Sequence, residues 1–75
     1  MEIRYEIGSY ERAERIVRDF DRGNRIYLKS LVSGVTGNPE YADRLDYRVL
    51  LHEGLKIKGI AQKMLRSRES ALGKS

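Results

Sequence analysis

From Leu55 onward, Ile57, Ile60, Ala61, Met64 and Leu65 recur at helical spacing, while Lys56, Lys58, Lys63 and Arg66 lie largely away from that stripe. Such a segment is a basic amphipathic helix. Its apolar side must be covered by the rest of the chain, and its charged side is left to water or to an anionic partner. The chain has 75 residues, so the cover comes from one small core, whose net stability is on the order of 3 to 5 kcal/mol. The segment admits two forms. In one, the stripe continues from Ile57 through Leu65 to Ala71 and Leu72 as a single helix, with Gly59 a weak point costing about 1 kcal/mol relative to alanine. In the other, a turn divides it into two helices.

The upstream segments supply the elements that would cover the stripe. MEIRYEI alternates Ile3, Tyr5 and Ile7 against Glu2, Arg4 and Glu6, the period of a strand with one buried face. After Gly8, Ser9 can cap a helix over about 10–22, in which Tyr10, Ala13, Ile16, Val17 and Phe20 form the apolar side. Its outer side pairs Glu11 with Arg15 and Glu14 with Arg18 at i, i+4. RIYLKSLVSG is ambiguous: Ile26, Leu28 and Val32 fit alternation, whereas Leu28, Leu31 and Val32 fit a helix ending at Gly34. A first strand needs a partner for its backbone donors and acceptors, and this is the other β-rich segment, so a strand over about 25–33 is expected. Asn38, Pro39 and Glu40 then read as cap, N1 proline and first-turn acid of a helix over about 39–53, with Ala42, Leu45, Val49 and Leu50 inward and Gly54 placed to end it.

The charge is unevenly distributed. Residues 1–37 carry seven bases and six acids, 38–54 two bases and four acids, and 55–75 six bases and one acid. The last segment, with Lys56, Lys58, Lys63, Arg66, Arg68 and Lys74 opposed by Glu69 alone, is the expected seat of attraction to an anionic partner. Through Gly54, Lys58, Ile60, Ala61, Met64, Ser67, Ala71 and Leu72, the segment resembles the helix-turn-helix of bacterial and phage transcription regulators. The resemblance implies that Ala61 lets two helices approach, that Ser67 begins a recognition helix, and that DNA contacts fall to Arg66, Ser67, Arg68, Ser70 and Lys74.

Other motifs carry less. GVTG at 34–37 matches a bare G-x-x-G loop but holds no basic residue, and reads as a turn. His52 is the only histidine and there is no cysteine, so no metal-ligand set, disulfide or cofactor is expected. The pairs Asp19 with Asp21 and Asp43 with Asp46 lie in charged stretches, and no phosphate-binding glycine loop or nucleophile motif is present, so an enzyme is not expected. No apolar run approaches the roughly 20 residues that span a bilayer, and the N-terminus lacks a signal-peptide pattern, which makes the cytoplasm the expected location.

These observations lead to one α+β domain, mainly helical, over residues 1–72 with a flexible tail at 73–75. It would hold a short two-stranded sheet (about 1–7 and 25–33) and three helices (about 10–22, 39–53 and 56–66 or longer); an all-α domain is the alternative. The expected function is that of a small regulator of gene expression that binds nucleic acid, DNA before RNA. Its contacts would be Lys56, Lys58, Lys63, Arg66, Ser67, Arg68, Ser70 and Lys74. The alternative is a small phage-encoded regulator that binds a host protein such as RNA polymerase, either through an edge strand carrying Ile3, Arg4, Tyr5 and Ile7 or through the amphipathic helix.

Overall fold

The computed structural model describes residues 3–73. Four helices follow an extended N-terminal segment: α1 (Tyr10–Asp19), continued by a 3₁₀ turn at Phe20–Arg22, then α2 (Arg25–Thr36), α3 (Pro39–Arg44) and α4 (Tyr47–Gly73). Each begins on a side-chain oxygen that accepts from a backbone N–H three residues on. Ser9 caps Arg12, Asn24 caps Tyr27, Asn38 caps Tyr41, and Asp46 caps Val49 at 2.9 Å. Pro39 stands in the first turn of α3, and α2 stops where Gly37 takes a left-handed φ of 68°.

The 27 residues of α4 make a rod about 40 Å long, which sets the 45 Å long dimension of the molecule. Both α1 and α2 pack along it, and α3 packs on α2. The core lies between them: Ala13, Ile16 and Phe20 from the first helical segment, Leu28, Leu31, Val32 and Val35 from α2, Ala42 from α3, and Leu50, Ile57 and Ala61 from α4.

The expected two-stranded sheet is not formed; among the described residues there is no strand, and the all-helical alternative holds. Residues 25–33 belong to α2, because Leu28, Leu31, Val32 and Val35 are buried at the helical period. Ile26, which alternation would turn inward, is 78% exposed. In MEIRYEI the alternation is real over the described part, with Ile7 buried, Ile3 and Tyr5 half-buried, and Arg4 and Glu6 exposed. The surface beneath it is helical, however. The segment is an extended strap, held by the Glu6 N–H donating to the Val35 carbonyl at the end of α2 (2.9 Å). Glu2 lies outside the described residues.

Two helix boundaries also move. The helix expected over 39–53 is broken at Leu45, whose backbone is extended (φ −85°, ψ 137°), and Asp46 caps a new helix. Gly54 does not end a helix. It lies within α4, and a Cβ there would stand 2.8 Å from Leu28 Cδ2 and 3.1 Å from Phe20 Cε2, so its bare backbone allows α4 to close on those side chains.

Gly59, five residues on, has nothing within 4 Å of the corresponding point. The two glycines should therefore respond oppositely to alanine. Gly59→Ala is expected to raise stability by about 1 kcal/mol through helix propensity alone. For Gly54→Ala the same gain is outweighed by overpacking that costs about 1 to 3 kcal/mol. Urea denaturation of both variants checks this, and shifts of the same sign would contradict the packing role assigned to Gly54.

Candidate nucleic-acid interface

Residues 54–72 lie inside α4 with no turn at Leu65, so the segment takes the continuous form and the two-helix arrangement is absent. Continuity has an electrostatic consequence. Along α4 the inward register runs Leu50, Glu53, Ile57, Ala61 and Met64. On the opposite side, Arg48, His52, Lys56, Gly59, Lys63, Arg66 and Ser70 follow one another at steps of three or four and are all exposed. Their mean spacing stays close to the helical repeat, so they form a straight line about 33 Å long. Neither acid of α4 falls on it: Glu53 is buried at 6% exposure and Glu69 lies off the register.

The cations expected to form the site divide into two groups. Lys63 and Arg66 are exposed, and neither has an ion-pair partner among the described residues. Lys56 is exposed and 3.7 Å from Glu53. Lys58 turns inward instead, with its side chain 24% exposed, its Nζ 3.7 Å from Asp21 and 5.0 Å from the Phe20 ring centroid. Arg68 donates to Glu14 at 3.2 Å and sits 5.4 Å from the Tyr10 ring centroid, clamping the far end of α4 to α1. Ser70 is on the exposed line, Ser67 borders it, and Lys74 lies outside the described residues. Of the tail expected at 73–75, Gly73 is the last residue of α4 and the other two lie outside the described residues.

Arg48 and His52 belong to the exposed line, yet they stand before Gly54, in the segment that sequence patterning assigns to another helix. Their i, i+4 spacing toward Lys56 is the signal that would have joined them. The residues proposed for strand pairing lie in the strap. Ile7 is in the core, Ile3 is half-buried, Arg4 is exposed, and the Tyr5 hydroxyl donates to Glu53 Oε2.

That bond gives the strap a pH response. Tyr5 is pushed up to about 12, first by the hydrogen bond to Glu53, then by burial and by the charge of Glu53. Below about pH 10 the phenol holds its proton in both folded and unfolded chains. Above that, the unfolded chain releases it while the fold retains it, so stability falls as pH rises from about 10 toward about 12. Tyr27 and Tyr41 are raised as well, chiefly by burial, and contribute with the same sign. Tyr5→Phe is accordingly expected to reduce, without abolishing, the alkaline loss of stability. Urea midpoints between about pH 9 and 12 test this, and an unchanged slope in the variant would exclude the bond as its main source.

Elsewhere the polar groups are engaged locally. Asp43 pairs with Lys29 at 2.7 Å, Asp19 with Arg18 at 3.2 Å and Asp21 with Lys58, while Asp46 is a cap. No cluster of three potential metal ligands occurs among the described residues. A hollow of about 420 Å³ lined by Arg4, Glu6, Arg12 and the end of α2 mixes both charges beside the negative pole of that helix, so it has no clear preference for an anion. No helix among the described residues is long and apolar enough to cross a membrane. Comparison of the chain with protein-family models, curated proteins and solved structures finds no match.

Proposed function

We propose that this protein binds nucleic acid through the outer face of α4, as a small regulator of gene expression. The observation that carries the reading is the acid-free line of Arg48, His52, Lys56, Lys63 and Arg66 along one exposed helix face. A regularly charged polyanion is the partner whose phosphates match a straight row of cations, and the released counterions drive its association. The row is about 33 Å long, enough to span several consecutive phosphates. Gly59 leaves its centre without a side chain, so a sugar-phosphate backbone can approach the helix there.

The test is fluorescence anisotropy of a labelled duplex and a labelled single strand over a range of salt. With Arg48, Lys56, Lys63 and Arg66 each on a phosphate, log affinity should fall against log salt with a slope of about −3 to −4 on duplex and about −3 on a single strand. Absence of binding at low salt, or a slope shallower than about −1, would overturn the reading.

A second reading rests on Leu51 and Leu55, which are 38% and 52% exposed one turn apart on the same side of α4. Such a pair suits docking into an apolar groove of a protein partner, including a component of the transcription machinery such as RNA polymerase. Leu55→Ser separates the two: it removes the exposed apolar anchor without adding charge, so it abolishes capture of a protein partner and has little effect on a phosphate-driven interaction.

A further inference from the structure

Beside the cationic line, α4 and the start of α1 enclose an open groove of about 300 Å³ lined by Tyr10, Ile60, Lys63, Met64 and Ser67. The four residues from α4 follow one another at i, i+3, i+4 and i+7, so they form one edge of the helix, and Lys63 belongs to both the groove and the exposed line. The walls are apolar where Ile60 and Met64 stand. The aromatic side chain is Tyr10, 44% exposed, with the Arg68 guanidinium 5.4 Å from its ring centroid. That guanidinium is itself tied to Glu14, so the ring has a fixed neighbour on the α4 side.

Resting on the nucleic-acid reading above, we infer that this groove receives an unpaired nucleobase, and that the protein prefers single-stranded nucleic acid to duplex. The occupant has to combine a flat apolar group with an adjacent anion, because the groove is apolar within and shares a rim with Lys63 and the rest of the cation row. A nucleotide in a single strand has this combination. In a duplex the base faces are stacked on one another and are not presented to an apolar wall. Stacking on an aromatic side chain does not depend on base identity, so the preference is for unpaired bases over paired ones, with little sequence selectivity.

The test uses the full chain and three probes of equal length, about twelve nucleotides: oligothymidylate, the same sugar-phosphate backbone without bases, and a duplex. Oligothymidylate is expected to bind about tenfold more tightly than the abasic strand. Tyr10→Ala should remove most of that difference by weakening oligothymidylate alone, and Tyr10→Phe should restore it. The abasic comparison on the parent protein is informative even if Tyr10→Ala fails to fold. Equal affinity for the abasic strand and oligothymidylate would overturn the groove assignment while leaving phosphate binding intact, as would tighter binding of the duplex. Absence of binding to all three at low salt would overturn the nucleic-acid reading, and this inference with it.

Discussion

Replacing Ile57 with alanine is expected to leave the chain largely unfolded at room temperature. Ile57 is fully buried, one of four large side chains with under 2% exposure, and it stands midway along the inward register of α4 between Glu53 and Ala61. Truncating a buried isoleucine costs about 2 to 5 kcal/mol, because the transfer energy is lost and the rigid surroundings only partly fill the cavity. A domain of this size commands on the order of 3 to 5 kcal/mol in total. The loss should be visible as a collapse of the helical circular-dichroism signal. Ile57→Val, which deletes one methylene, should cost about 1 kcal/mol and remain folded. A cooperative Ile57→Ala transition within about 1 kcal/mol of the parent would mean that α4 derives its stability from elsewhere.

The other large effect concerns binding. Changing both Lys63 and Arg66 to glutamate is expected to weaken nucleic-acid affinity on the order of 50-fold at about 0.1 M salt, since two phosphate contacts are lost, and to make the salt slope shallower by about 2. Neither side chain has an ion-pair partner among the described residues, so stability should move by no more than about 0.5 kcal/mol. Two comparisons sharpen the result. Lys58→Ala should leave affinity nearly unchanged, because that ammonium is held by Asp21 and the Phe20 ring. Arg68→Ala should act mainly on the junction of α4 with α1, through the loss of Glu14 and Tyr10. If all four cations proved equivalent in binding, the interaction would be diffuse attraction to a basic protein rather than contact along one helix face.

The local signals in the sequence specify where two of the helices begin, α1 and α3. Ser9 and Asn38 each precede a helix whose first free N–H groups they satisfy, and their effect is confined to one turn of chain, whereas the cap that Asn24 gives α2 is masked by the strand expected over 25–33. The apolar period of 57, 60, 61, 64 and 65 likewise marks the buried side of α4, and its basic residues mark the segment that holds Lys63 and Arg66. What tertiary packing alone decided is how these pieces continue and what they rest on. Alternation in MEIRYEI states that one side is covered, but it cannot state whether the cover is a sheet or, as here, the ends and sides of helices. In RIYLKSLVSG the β-branched residues are compatible with either period, and the burial of Leu28, Leu31 and Val32 together, with Ile26 left exposed, favours the helix. Gly54 resembles a helix terminator in isolation, and it becomes a point of close approach only because Leu28 and Phe20 stand opposite it. The unbroken run of α4 through Gly54 brings Arg48 and His52 into line with Lys56, Lys63 and Arg66. It also separates those exposed cations from Lys58 and Arg68, whose partners Asp21 and Glu14 are more than thirty residues away in the chain and meet them only when α1 packs on α4.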